Sequence, residues 1–195
     1  TDAVYNHQLF DVIRGATKHL RSNNTTAEGT LTNSVTSFDS DGFSLGNDGH
    51  MNLSGNANVA WNWKANGTGS SNSDGSVDST VSVNTTSGFS IVSWNGTTNN
   101  KNIGHGLGVA PQMVIAKSRD TGDVNWIVWH HKLSSGYFLK LNLTNAQDNA
   151  NSYYTENPNN TVIKLTGSTA HNVSGDKMIA YCFAEKKGYS KFGSY

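Results

Sequence analysis

Apolar and polar residues alternate with a period of two along several stretches of this chain, the pattern of a strand with one face turned inward. In "NVAWNWKA" (58–65), Val59, Trp61 and Trp63 point one way while Ala60, Asn62 and Lys64 point the other. In "KMIAYCFAE" (177–185), Ile179, Tyr181 and Phe183 take the corresponding face. The same reading predicts strands over 76–83, 88–94, 112–118, 125–131, 137–143 and 161–166. Turn pairs separate them: Asn-Gly at 66–67 and 95–96, and Asp-Gly at 41–42, 48–49 and 74–75. No segment holds a long helical period. "LFDVIRGATKHL" (9–20) fits either a short helix or a strand and turn, and the internal repeat favours the strand.

That repeat is the main feature of the chain. "NLSGNANVAWNWKA" (52–65) and "NVSGDKMIAYCFAE" (172–185) align without a gap, 172 − 52 = 120 positions apart. "HLRSNNTTA" (19–27) matches "FLKLNLTNA" (138–146), and "GFSLG" (42–46) stands where "VIKLT" (162–166) stands. "FDVIR" (10–14) is then expected in the place of "NWIVW" (125–129). A further echo begins 188 − 88 = 100 positions on, where "GYSKFGSY" (188–195) resembles "GFSIVSW" (88–94). The expected organisation follows. Residues 1–65 form a β-sandwich module lacking its opening strands. Residues 66–87 are a Gly/Ser-rich linker and connecting strand, and 88–187 are a complete module. Residues 188–195 are the opening strand of a further module or a strand exchanged between subunits, with Tyr189, Phe192 and Tyr195 as its contact residues. Repeated β modules generate length or valency more readily than chemistry. Two readings stay open: a piece of a longer tandem array, or strand exchange.

Composition narrows the class. Only 35% of the 195 residues are hydrophobic and 14% charged, and Asn, Ser, Thr and Gly fill much of the rest, which suits short strands joined by tight polar turns rather than helices. Five Trp, seven Tyr and seven Phe argue against disorder. The net charge is zero, so no basic surface points to nucleic acid. No apolar run reaches membrane-spanning length. "TDAVYNHQLF" has neither the charged start nor the apolar centre of a signal peptide, so the chain is expected to be processed or to travel by another route. Cys182 stands alone, which excludes an intrachain disulfide and a cysteine-based zinc site.

Candidate chemistry is sparse. "DSDG" (39–42) resembles the start of a calcium loop but lacks the third acid and the distal Glu, so a polar β-turn is expected. His130 and His131 are adjacent and would face opposite sides of a strand, so a shared metal is not expected in one chain, although His105 or His131 could converge on a trimer axis. There is no G-x-S-x-G elbow, "HGLG" (105–108) reads as a turn, and no carboxylate pair is set for glycoside hydrolysis. Cys182 reads as a buried, inert thiol. Of the aromatics that could stack on sugar rings, Trp61 and Trp63 read as core residues, since their partners Tyr181 and Phe183 share a strand face. The loop "NSYYTENPNN" (151–160) is the better binding surface: Tyr153 and Tyr154 sit among amides, with Asn157 and Asn159 as hydrogen-bonding partners for hydroxyls. No metal, cofactor or catalytic residue is expected.

"FDVIRGATKHLRSNNTTAE", "NSVTSFDSDGFSLG", "NVAWNWKANG", "GFSIVSWNG", "HGLGVAPQMVIAKSR" and "MIAYCFAEKKGYSKFGSY" resemble, in this order, a module of tail-fibre and other virion-surface proteins of marine phages and cyanophages. The resemblance covers nearly the whole chain. It implies a β-rich, repeated, non-enzymatic virion component on the particle surface, with a part in host attachment, and it brings no catalytic or binding residues. The expectation is an all-β protein of two related antiparallel, jelly-roll-like β-sandwich modules in tandem. Its partners would be itself (a trimer or an end-to-end assembly), other virion proteins and a host surface glycan. The alternatives are a carbohydrate-binding module of a secreted bacterial protein and a strand-exchanged filament or adhesin subunit.

Overall fold

The computed structural model describes residues 5–97, 99–149, 153–167 and 172–194; Tyr195 of the expected assembly strand lies outside them. The fold is all-β, and among the described residues there is no helix. The strands in chain order are β1 (Gln8–Leu9), β2 (Lys18–Arg21), β3 (Gly29–Thr30), β4 (Val35–Phe38), β5 (Phe43–Leu45), β6 (Ser70–Asn72), β7 (Ser79–Asn84) and β8 (Phe89–Asn95). They continue with β9 (Lys101–Gly104), β10 (Met113–Ser118), β11 (Ile127–His130), β12 (Tyr137–Lys140), β13 (Asp148–Asn149), β14 (Val162–Leu165) and β15 (Lys177–Phe183). Eight of them build the main sheet in the order β13-β12-β11-β10-β15-β8-β7-β6. Three smaller sheets are β1-β2-β3, β4-β5 and β9-β14. Every strand pair is antiparallel.

β15 occupies the middle of the main sheet because both of its faces are apolar. Met178, Ala180 and Cys182 pack with Val92, Trp94, Val114, Ala116 and Trp129 beneath Ile103, Ile163 and Leu165 of the β9-β14 pair. Ile179 and Tyr181 face the opposite way, into a second cluster with Ile91, Trp126 and Leu20, against which Leu9, Val12 and Ile13 of the N-terminal segment pack. A strand covered on both sides reads as a nearly continuous apolar run rather than a clean alternation. Each fully buried aliphatic side chain contributes about 1.5–3 kcal/mol.

The expected strands at 76–83, 88–94, 112–118, 125–131, 137–143, 161–166 and 177–185 correspond to β7, β8, β10, β11, β12, β14 and β15. Four local readings are corrected. Residues 58–65 form no strand, and Val59 (73% exposed), Trp61 (78%) and Trp63 (51%) lie outside the core. The reason is geometric. β15 fills the slot between β10 and β8, whose other sides are taken by β11 and β7, so no place remains in that sheet for a second copy of the same pattern. Residues 66–76, linker-like by composition, carry the edge strand β6, paired to β7 from Ser70↔Val81 to Asn72↔Ser79. The strand beside β2 is Gln8–Leu9 rather than 10–14, because Asp11 accepts the backbone N–H groups of Ile13 and Arg14 and turns the chain there. Finally, β9 forms in an Asn- and Lys-rich stretch with no apolar alternation, held through Val162↔Gly104 to Leu165↔Lys101.

The internal repeat extends to individual hydrogen bonds. Gln8↔Arg21 and Leu9↔Leu20 pair β1 with β2 as Ile127↔Lys140 and Val128↔Leu139 pair β11 with β12. Lys18↔Thr30 and His19↔Gly29 match Tyr137↔Asn149 and Phe138↔Asp148, again 119 positions on (137 − 18 = 119). The Asn23 side chain accepts the His7 N–H at 3.0 Å, and the Asn142 side chain accepts the Trp126 N–H at 3.0 Å. Farther along, the Asn52 amide donates to Gly46 O at 2.9 Å where Asn172 donates to Thr166 O at 3.3 Å. The turns that follow are the same. Asn56 N donates to Leu53 O and Asp176 N to Val173 O, both at 3.1 Å, and Gly55 and Gly175 share left-handed φ angles of 86° and 84°. After this turn the copies diverge: 177–183 become β15, and 58–63 belong to no strand.

Candidate functional site

Cross-strand register gathers aromatic side chains at one end of the main sheet. Phe89 of β8 lies opposite Phe183 of β15, Phe183 opposite Met113 of β10, and Met113 opposite His130 of β11. Residues directly opposite share a face. The Phe89 and Phe183 rings are 5.1 Å apart. Trp63 closes one side of this row, its ring 6.0 Å from Phe183 in an edge-on arrangement and 6.4 Å from Phe89. Phe192 closes the other, with its ring 6.4 Å from both Phe183 and His130. Trp61 and Val59, earlier in the same segment as Trp63, are exposed. Exposed large rings such as Trp61 and Trp63, the latter beside a partly buried aromatic row, are the signature of a contact surface, for a protein partner or the flat face of a sugar ring.

The sequence placed the binding surface elsewhere, at 153–160. Tyr154 is only 5% exposed and joins the main core, so its ring is withdrawn from any ligand. Tyr153 is half-buried, edge-on to Phe138 at 4.4 Å between centroids. Asn157 is exposed. Asn159 is exposed too, but its side chain is engaged in shaping the loop, accepting the N–H groups of Thr161 and Val162 at 2.9 Å each. Its carbonyl faces His105 Nε2 at 3.0 Å. The four residues are therefore not brought together as one open platform.

His105 is fully buried, and its geometry fixes its charge state. Nδ1 accepts the Leu107 N–H at 3.2 Å, so the ring hydrogen sits on Nε2 and points at the Asn159 carbonyl. Burial pushes the imidazole below its ordinary pKa of 6.5, only partly opposed by the Asn159 carbonyl and by Asp74. His19 and His130 are lowered as well, mainly by burial. The unfolded chain thus binds more protons than the fold as pH drops through about 6.5, and stability present above that pH is lost below it. The melting temperature is expected to fall between pH 7.5 and 5.5, and His105→Gln, which takes up no proton, to flatten that fall. Parallel melting curves for wild type and variant check it.

The second face carries a buried polar network. Tyr181 Oη donates to Asp11 Oδ2 at 2.7 Å, and Arg14 Nε donates to the same oxygen. Arg14 Nη2 reaches Leu9 O at 2.9 Å and Tyr181 Oη at 3.2 Å. Arg119 grips both Glu28 oxygens, at 2.8 and 2.9 Å. Trp126 Nε1 donates to Arg21 O at 2.8 Å. These bonds join the β1-β2-β3 region to the main sheet, and the Asp–Arg pair inside apolar "LFDVIR" was the one available cue to it.

The histidine pair differs from its sequence reading. β11 ends at His130, so strand alternation stops there and the His130 and His131 rings lie 4.9 Å apart. His131 Nε2 faces Phe192 O at 3.2 Å. "DSDG" (39–42) forms the turn between β4 and β5, with the Asp39 carboxylate accepting from Ser37 and Ser44 at 2.9 and 2.8 Å. Among the described residues no three His, Cys, Asp or Glu side chains cluster as metal ligands.

A family model matches residues 1–195 from end to end. The chain belongs to the DUF7483 family, a domain of unknown function. No curated protein and no solved structure matches it.

Proposed function

We propose that this chain is a non-enzymatic structural module of a phage virion, part of a tail fibre or surface fibre, built from two related β-sandwich modules and associating with copies of itself and other virion proteins. The observation that carries this reading is the repeat, reproduced down to paired side-chain hydrogen bonds. Conserving geometry in duplicate while leaving large rings exposed serves construction by contact. The resemblance of the ordered motifs to virion-surface modules of marine phages supplies the setting, the surface of the particle.

Negative-stain electron microscopy together with the mass in solution tests it. Rods, trimers or end-to-end assemblies are the expected result; a compact monomer at all concentrations overturns it. Exposed Trp61 and Trp63 favour a second reading, a carbohydrate-binding module. A glycan array on wild type and Trp61→Ala separates the two: binding that depends on Trp61 in a protein that stays monomeric selects the second.

A further inference from the structure

The repeat shows what residues 58–63 lack. The turn that launches β15 is reproduced at 53–56, with the same hydrogen bond and the same left-handed glycine. The strand launched from 172–176 pairs over seven residues with β8, from Lys177↔Asn95 to Phe183↔Phe89. The segment launched from 52–56 has the matching alternation, yet among the described residues no backbone–backbone hydrogen bond reaches residues 58–63. Val59, Trp61 and Trp63 stand 73%, 78% and 51% exposed on it.

The chain also carries a second version of β8. Residues 188–194 follow the pattern of 88–94. Gly88 and Gly188, the residues that open these segments, share left-handed φ angles of 70° and 77°. Residues 186–190 form a turn closed by the Lys186↔Ser190 bridge, residues 191–194 belong to no strand with the Phe192 carbonyl facing His131 Nε2 at 3.2 Å, and Tyr189 is 66% exposed. The chain thus carries a segment patterned on β15 that pairs with no strand, and a segment patterned on β8 that becomes a donor once the Lys186–Ser190 turn opens.

We propose that residues 188–194 of one copy pair antiparallel with residues 58–64 of a second copy, in the register that β8 holds against β15. Carrying that register across gives Trp63 opposite Tyr189, Asn62 opposite Ser190, Trp61 opposite Lys191, Ala60 opposite Phe192 and Asn58 opposite Ser194. Trp63 and Tyr189 then occupy the positions of Phe183 and Phe89, an aromatic cross-strand pair. Each copy presents one donor and one acceptor on different segments, so the contact is heterologous and propagates head to tail. The inference rests on the reading of the chain as a self-associating module, and it names the strands that join.

Single-cysteine chains test it. Asn58→Cys and Ser194→Cys are made on separate copies, mixed, and exposed to oxidised glutathione. Both positions are exposed. Cys182 does not compete, being fully buried with its thiol pushed up to about 12. The expected result is a disulfide-linked dimer at least about tenfold more abundant than from Asn62→Cys mixed with Ser194→Cys, since that pair is four residues out of register, roughly 13 Å apart, and beyond disulfide reach. Equal yields from the two mixtures overturn the proposal, as does a doubly substituted Asn58→Cys, Ser194→Cys chain that closes its disulfide within one copy. If wild type assembles by mass and microscopy while the in-register mixture gives no excess of dimer, the strand pairing is wrong and the structural role stands. If wild type is monomeric throughout, the structural role itself fails.

Discussion

Arg14→Ala lowers the unfolding free energy by about 3–5 kcal/mol, the range for removing one partner of a buried charge pair. Arg14 and Asp11 are 7% and 4% exposed. The guanidinium spans Asp11, the Leu9 and Lys18 carbonyls, Tyr181 and Glu28. Burial opposes its charge, but the interactions with Tyr181, Asp11 and Glu28 outweigh it and hold its pKa above the usual arginine range. Alanine removes that charge and leaves the buried Asp11 carboxylate without its counter-charge, held only by Tyr181 and the backbone N–H groups of residues 13 and 14. Tyr181→Phe is the comparison. It deletes one donor to Asp11 but keeps the ion pair and the ring packing, so about 1–3 kcal/mol is expected. Urea unfolding of both variants checks the order. Equal losses would show that the tyrosine, not the arginine, carries the network. The m-value matters as well: if the N-terminal region detaches before the sheet melts, Arg14→Ala loses two-state behaviour and its m-value falls.

Asn172→Ala is expected to cost about 3 kcal/mol, because several buried hydrogen bonds are lost at once. Asn172 is fully buried. Its Oδ1 accepts from Trp94 Nε1 at 3.4 Å and Thr97 N at 3.2 Å, and its Nδ2 donates to Asn99 O at 2.9 Å and Thr166 O at 3.3 Å. Its repeat partner Asn52 is exposed and makes only the bond to Gly46 O among these equivalents. Asn52→Ala therefore costs under about 1 kcal/mol, the usual limit for a solvent-exposed hydrogen bond. The pair gives an internal control: one residue type, one local turn, two burials. Matching losses at the two positions would show that the turn, not the buried bonds around Trp94, sets the cost.

Much of the fold is legible in the sequence. Period-two alternation places seven of the strands, and the turn signals separate them. Failures have specific causes. Val59, Trp61 and Trp63 carry a good strand pattern, but a strand exists only where a neighbour supplies hydrogen bonds, and the slot this pattern fits is already held by β15. The β9 segment has almost no apolar alternation and is fixed by its partner β14 instead. The site was harder. Tyr153 and Tyr154 look exposed because amides surround them, yet Tyr154 bridges to Leu165 and enters the core. The row Phe89–Phe183–Met113–His130 draws on four strands far apart in sequence, and only their register brings the side chains together.

The central place of β15 has a consequence for the order in which the molecule can be made. The strand that fills the middle of the main sheet ends at Phe183, late in the chain, and its partners lie as far back as Phe89. Tyr181 on the same strand also anchors Asp11, 170 positions earlier. During synthesis from the N-terminus neither the main sheet nor the N-terminal layer can close until that segment has left the ribosome. Such long-range pairing is slow to form. From the synthesis of β10 until that of β15 the nascent chain therefore holds β8 and β10 as unsatisfied edges, the state in which strands from neighbouring chains are most readily captured.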